Sequence, residues 1–359
     1  MRSLTRREFI ALGAGSLVVL AGGTLAYQLL ETSLHPQPTK TATAIEQPHS
    51  IGGTFPFTAS ALPLPLWITP NENLYTVQYD QLPSVSLTSY SLWVYGLVRN
   101  ELHLSYDELR GLPAETRMHT LECIGNAAGG NLIGNVEWRG VPLRALLERA
   151  SVDGRAKYVT IGGVDEYLTS VPIERAMHEQ ALLAYEMNGQ PLTLDHGYPL
   201  RAILPGVYGQ KQPKWVTGIN VTEQEELGPW EKKGWSQQAT IQLNSGIKFP
   251  REGLPVPRGD ILLAGVAYSD EIGVRAVEVS TDGGKTWNDT MLTRGPSPYA
   301  WTPWGYWFHN PAPGEYHLRV RATDNRGNRQ GQTASGILSS VFPNGTSEIH
   351  SMVIQVRDS

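Results

Sequence analysis

Apolar and polar positions set the first picture of this chain. Tyr90-Ser-Leu-Trp-Val-Tyr-Gly96 alternates with period two and predicts a strand. Leu104-Ser-Tyr-Asp-Glu-Leu109 follows, with Ser105 placed as a helix N-cap and Glu108 at the capping-box position. Residues 141–149 carry Pro142 just inside their start and apolar residues at helical spacing, which predicts a short amphipathic helix. Further strands are expected over residues 158–161 and 215–222. Short strands and short helices thus alternate between residues 61 and 239, the pattern of an α+β domain.

From residue 240 the pattern becomes strands and tight turns. Residues 274–280, the Asp282-Gly-Gly-Lys285 turn, the strictly alternating residues 316–323 and Asp324-Asn-Arg-Gly-Asn328 predict an immunoglobulin-like antiparallel β-sandwich over 240–359. The aromatic run Tyr299-Ala-Trp-Thr-Pro-Trp-Gly-Tyr-Trp-Phe308 reads as core and interdomain packing, with a sugar-binding surface the alternative.

The N-terminus departs from both patterns. Thr5-Arg-Arg-Glu-Phe-Ile10 leads into an uncharged apolar run ending near Leu30, the layout of a twin-arginine export signal. The run is about the ~20 residues that cross a bilayer and its cleavage candidate, Thr24-Leu-Ala26, is weak, so residues 1–31 read as a signal or an uncleaved membrane anchor, placing the body on the extracytoplasmic face of the membrane or in the periplasm. Residues 32–60 lack apolar periodicity and read as a tether.

Composition narrows the chemistry. In 359 residues, 29 Lys and Arg against 34 Asp and Glu leave a formal charge of -5, too little cationic excess to hold a nucleic-acid backbone. A single cysteine excludes an intrachain disulfide, cysteine-rich zinc modules, cysteine-ligated iron–sulfur clusters and the Cys-x-x-Cys-His haem signature. There is no Gly-x-Ser-x-Gly elbow and no His-Glu-x-x-His, so serine hydrolase and zinc hydrolase chemistry lose their usual markers.

That cysteine, Cys123, closes an alternating run (Met118, Thr120 and Glu122 against His119, Leu121 and Cys123) and opens the loop Gly125, Asn126, Gly129, Gly130. The thiol is therefore expected at a strand end, facing a loop whose glycines let backbone approach a bound group. A lone cysteine is ordinarily a small buried hydrophobe. In an exported protein an unpaired thiol is a liability, and a metal-bound thiolate explains its retention. A second loaded stretch, His196-Gly-Tyr-Pro-Leu-Arg201 and Tyr208-Gly-Gln-Lys-Gln-Pro-Lys-Trp215, spaces His196, Arg201, Lys211 and Lys214 through Gly/Pro loops. Such cations suit a phosphate group, although a solvated basic face is the plainer reading of the four alone.

From residue 66 to the C-terminus the chain resembles the sulfite oxidase family of molybdenum–pterin oxidoreductases. Leu121-Glu-Cys-x-Gly-Asn126 and Gly134-Asn-x-Glu-Trp-x-Gly-Val-Pro-Leu143 resemble its metal-ligand segment; Leu183-Ala-Tyr-Glu-Met-Asn-Gly-Gln-Pro-Leu192 and His196-Gly-x-Pro-x-Arg201 to Lys214-Trp215 resemble its pterin segment. The resemblance implies a molybdenum–molybdopterin cofactor with Cys123 as thiolate to the metal and Asn126, His196, Arg201, Lys211 and Lys214 around the pterin and its phosphate. A soft thiolate matches a metal already carrying dithiolene sulfurs. The sandwich resembles the family's dimerisation domain, which implies a homodimer. With no haem or iron–sulfur segment recognised, electrons are expected to leave to an external cytochrome or quinone-linked carrier.

Departures from the family pattern concern the substrate. Ala127 and Ala128 stand where sulfite oxidases typically carry arginine after the cysteine segment, Val77-Gln78-Tyr79-Asp80 stands where the family has an arginine, an asparagine and a histidine, and Trp235 replaces the active-site tyrosine. Gln78 and Trp235 are then the implied catalytic positions and Asp80 a cofactor contact. Two lost guanidiniums remove charge-assisted bonds worth about 1.5 to 3 kcal/mol each for a small dianion. The expectation is therefore oxidation of sulfite or a related small sulfur compound, with reduction of an S- or N-oxide, or a non-catalytic cell-surface binding protein, as rivals.

Overall fold

The computed structural model describes residues 67–331 and 341–358. The expected anchor (1–31) and tether (32–60) lie outside them. Among the described residues no helix is long and apolar enough to cross a membrane.

Two sheets build the first part of the chain. One has the order β2-β1-β10-β5-β6, from β1 (Ser91–Gly96), β2 (Leu102–Ser105), β5 (Tyr158–Gly163), β6 (Leu168–Pro172) and β10 (Val216–Thr222); β1 and β10 run parallel and the other pairs antiparallel. The other has the order β3-β4-β7-β8, from β3 (Glu115–Glu122), β4 (Ile133–Pro142), β7 (Leu182–Met187) and β8 (Gln190–Pro191), with β9 (Arg201–Ile203) also paired to β7.

Helices are short: α1 (Tyr106–Arg110), α2 (Leu143–Ala150) and α3 (Ile173–Ala176). The described chain is thus mostly β with few helices, so the helical share of the α+β domain expected is small. Helix α1 starts as the pattern predicted, with Ser105 Oγ accepting from Glu108 N–H and Glu108 Oε2 accepting from Ser105 N–H. Helix α2 begins later than the spacing suggested, because Val141 and Pro142 finish β4 and Pro142 becomes the N-cap. Its Leu143, Leu146, Leu147 and Ala150 bury one face against the first sheet, about 1.5 to 3 kcal/mol for each leucine.

The second sheet is covered on both faces. Leu183 and Tyr185 of β7 enter the core shared with α2, while Leu182, Ala184 and Met187 enter a second core with Leu121, Cys123, Trp138 and Trp230. This explains why β7 is an almost unbroken apolar run. Strand β3 also departs from simple alternation, since His119, Thr120, Leu121 and Glu122 are all buried. Its outer face is closed by the C-terminal part of the chain: Trp301 N–H donates to Thr120 Oγ1 at 2.8 Å, and Asn244 reaches Glu122.

That C-terminal part is a two-sheet sandwich. A four-stranded sheet β11-β13-β17-β16 comprises β11 (Asn244–Phe249), β13 (Ile261–Tyr268), β16 (Met291–Leu292) and β17 (Thr302–Phe308). It faces a five-stranded sheet β12-β19-β18-β14-β15 from β12 (Pro255–Pro257), β14 (Val274–Ser280), β15 (Asn288–Asp289), β18 (Gly314–Asp324) and β19 (His350–Arg357), across a core that includes Ile247, Leu263, Val277, Trp304, Val320 and Ile354. Of the aromatic run, Trp301 and Trp304 are buried and serve packing.

Candidate functional site

Strand β3 ends at Glu122 and delivers Cys123 to the start of its loop. Cys123 N–H donates to Leu132 O at 2.9 Å, Asn126 N–H donates to Cys123 O at 2.9 Å, and Asn126 Oδ1 accepts from Leu132 N–H at 2.9 Å, closing the loop at its base. The sulfur is buried and lies in the wall of a cavity that is partly open to solvent. Burial, with the Glu122 carboxylate adding to it, pushes the Cys123 thiol up to about 12 against the opposing Gly125 N–H. Without a bound cation the sulfur therefore stays protonated at neutral pH, and a metal ion reverses that balance.

His196, Arg201 and Lys214 also line the cavity. Arg201 sits on β9, its guanidinium buried 5.0 Å from the centre of the Trp138 ring, with Nη1 donating to His196 O at 3.1 Å. Lys214 Nζ donates to Asp195 O at 2.8 Å and lies 4.3 Å from the centre of the Trp215 ring. Burial lowers Arg201 to about 10 and Lys214 to about 7. Among the described residues neither forms an ion pair; Arg201 is buried and Lys214 half-buried, with the Asp165 and Asp195 charges acting on Lys214, and the Arg201 guanidinium favours an anion in the cavity. His196 is lowered to about 4 by burial and by Arg201, and is a neutral imidazole at physiological pH.

Backbone strain marks the same place. Gly197 has φ +104, and a Cβ there would lie 3.0 Å from Lys214 Cβ and 3.1 Å from Arg201 Cβ, so glycine lets the two cation-bearing segments close on each other. Trp215 holds φ +53, rare for a bulky residue, with Nε1 donating to Leu194 O at 2.7 Å.

The cavity thus brings together Cys123, Gln78, His196, Arg201 and Lys214 of the residues singled out in the sequence. Four others stand elsewhere. Lys211 is spent inside the protein, its Nζ donating to Glu231 Oε1 at 2.5 Å, Thr169 Oγ1 at 3.0 Å and Ser170 O at 3.0 Å, so all three of its protons are used and none faces a phosphate. Asn126 pins the cysteine loop from behind, Trp235 packs edge-on against Phe342 outside the cavity wall, and Asp80 is exposed. Sequence reasoning missed Tyr167, whose hydroxyl donates to Gln210 O at 2.6 Å, and the cluster it forms with Tyr79 and Trp230 in the wall. Trp230 and Trp235 lie five positions apart in one polar segment, and no local signal tells which turns inward.

The lining suits a molybdopterin-type group. Gln78 Oε1, Gln210 Oε1 and Arg201 Nε are buried without a protein partner among the described residues, offering two acceptors and a donor to a ring with polar edges. Cations of this kind suit a phosphate, and a thiol suits a soft metal.

Comparison with known proteins agrees on this class. Residues 79–230 match the family model "Oxidoreductase molybdopterin binding domain". Mitochondrial sulfite oxidase of Rattus norvegicus is 31% identical over 340 residues, covering 80% of this chain and 62% of that protein. Sulfite oxidase of Arabidopsis thaliana is 31% identical over 280 residues, covering 64% of this chain and 71% of that protein. The chain belongs to the sulfite oxidase family of molybdopterin oxidoreductases. It spans about three fifths of the length of the mitochondrial relatives it matches. The sulfane dehydrogenase SoxCD from Paracoccus pantotrophus shares the fold, with a TM-score of 0.72 at 23% identity over 92% of this chain and 99% of that chain.

Proposed function

We propose that this chain binds a molybdenum–molybdopterin cofactor in the cavity, with Cys123 as the protein thiolate to the metal, and oxidises sulfite or a related small sulfur compound while passing electrons to a separate carrier. The observation that carries this reading is one cavity lined by the chain's only thiol together with buried Arg201 and half-buried Lys214, neither in an ion pair among the described residues. Bound there, the group supplies oxygen-atom transfer. Arg201 and Lys214 hold its phosphate, neutral His196 and Gln78 offer hydrogen bonds, and the aromatic wall of Tyr79, Tyr167 and Trp230 restricts water around the thiolate.

Reduction of a neutral S- or N-oxide is a second reading, favoured by the same wall. Ala127 and Ala128 leave the cysteine loop without the guanidiniums that grip a dianion, and the basic residues lining the cavity, Arg201 and Lys214, are taken by the cofactor in this reading. Steady-state assays with sulfite and with methionine sulfoxide separate the two; sulfite turnover at low KM overturns the second.

The wider assignments follow the sequence. Residues 1–31 are read as a twin-arginine signal or membrane anchor, with the body on the extracytoplasmic face of the membrane or in the periplasm. The sandwich is read as immunoglobulin-like and as the surface meeting a second copy, supported by its four- and five-stranded sheets and by the parallel addition of β12 to β19.

The deciding experiment is metal analysis of the full chain after export. About one molybdenum per chain is expected, with Cys123→Ser losing the thiolate-to-metal absorption and roughly a thousandfold or more in turnover. Metal-free wild-type protein leaves a cell-surface binding protein standing instead.

A further inference from the structure

The cysteine loop is held from two sides, and one side is the sandwich. Strand β11 lies directly on it: a Cβ at Gly246 would meet Gly129 Cα at 2.9 Å, and the ring of His350 fills the space a Cβ on Gly129 would need. Two side chains of β11 make the polar contacts. Lys248 Nζ donates to Gly129 O at 2.9 Å, Gly130 O at 2.6 Å and Asn131 Oδ1 at 3.0 Å, so all its protons go to this loop. Asn244 Nδ2 donates to Glu122 Oε1 and Oε2 at 3.2 and 3.0 Å, and Glu122 Oε1 accepts from Asn126 Nδ2 at 2.8 Å. A continuous chain therefore runs from β11 through Glu122 and Asn126 to both flanks of Cys123, whose own carbonyl takes the Asn126 N–H.

Nothing within the first two sheets replaces these bonds among the described contacts. The carbonyls of Gly129 and Gly130 turn toward Lys248, and a loop this rich in glycine has much backbone freedom to lose. Remove the ammonium and the loop keeps its base but loses the restraint on its tip.

We propose that Asn244 and Lys248 of the sandwich are positioning residues that fix the Cys123 sulfur in the cavity wall, making the sandwich a structural part of the metal site. This rests on the reading of Cys123 as the metal thiolate. The sandwich then does more than present a surface, because the sulfur's direction depends on a strand more than a hundred residues downstream.

Cys123 is the chain's only cysteine, so its reaction with a maleimide reports on the loop without any metal. Full-length chain made without the cofactor is labelled as wild type, Asn244→Ala, Lys248→Met and Tyr268→Phe. The last removes a hydroxyl that bridges to Thr120 O and Asp270 elsewhere in the same interface. Labelling is expected to accelerate roughly tenfold or more in the two β11 variants, by local opening, and to stay near wild type in Tyr268→Phe. In the cofactor-loaded protein the same two variants are expected to shift the thiolate-to-metal absorption, and Lys248→Arg to restore it in part. The proposal is overturned if labelling changes by less than about twofold in both β11 variants, or if Tyr268→Phe accelerates it equally, which marks general loosening of the interface. A chain that never takes up molybdenum defeats the proposed function and still leaves the labelling rates to decide the role of β11.

Discussion

At the scale of single residues, two lysines three positions apart have opposite roles. Lys211 is paired with Glu231 in a dry setting, whereas Lys214 lines the cavity, bonded to a backbone carbonyl and set against the Trp215 ring, with the Asp165 and Asp195 charges nearby. Lys211→Met leaves the Glu231 carboxylate buried and unpaired and is expected to cost about 3 to 5 kcal/mol, read by urea unfolding. Lys214→Met is expected to leave stability unchanged or raise it, because burial already lowers the ammonium to about 7. Its loss appears instead in anion binding. Sulfate, a dianion throughout this range, is expected to bind the cofactor-free chain more weakly as pH rises through about 7 and Lys214 sheds its proton; calorimetry on Lys214→Met should show that pH step gone.

At the scale of elements, the site depends on segments that approach because one residue lacks a side chain. Gly197→Ala forces φ +104 on an L-residue and drives its Cβ against Lys214 and Arg201, so a loss of about 1 to 3 kcal/mol and a weakened sulfate site are expected together, by thermal melting and calorimetry. The cysteine at a strand end, the capping box at Ser105 and the polar run of His196, Arg201 and Lys214 were legible because each has a local signature. The fate of Lys211 was not, since its partner Glu231 lies twenty positions on and only the fold brings the two together. Strand β3 misled for a related reason: alternation predicts one open face, and the sandwich covers it. Which of Trp230 and Trp235 enters the wall is likewise a tertiary decision.

At the scale of the whole molecule, the seam between the first sheets and the sandwich carries two histidines that must stay neutral. His119 on β3 stacks on Tyr299 with ring centres 5.1 Å apart, and burial lowers it to about 4, with Arg117 and His178 contributing and a Gln180 hydrogen bond opposing. His350 on β19 packs on Gly129 and accepts Ile247 N–H through Nδ1 at 3.1 Å, again lowered to about 4 by burial and by Lys248. Both bind a proton at about 6.5 once unfolded. At these two sites the unfolded chain holds more protons between pH 4 and 6.5 than the folded one, so their contribution to stability is full above 6.5 and falls as pH drops toward 4, while Glu122 at the same seam, raised to about 7 by burial, works in the opposite direction. Each histidine contributes on the order of 2 to 3 kcal/mol to that fall. His119→Phe keeps the ring against Tyr299 and removes one titrating group, so its urea midpoint should decline more shallowly across that window than wild type; an unchanged slope would place the acid sensitivity elsewhere. Because β11 and His350 hold the cysteine loop at the same seam, opening it with acid is also expected to expose Cys123, and maleimide labelling should quicken over the same pH range once corrected for the reagent's own pH dependence.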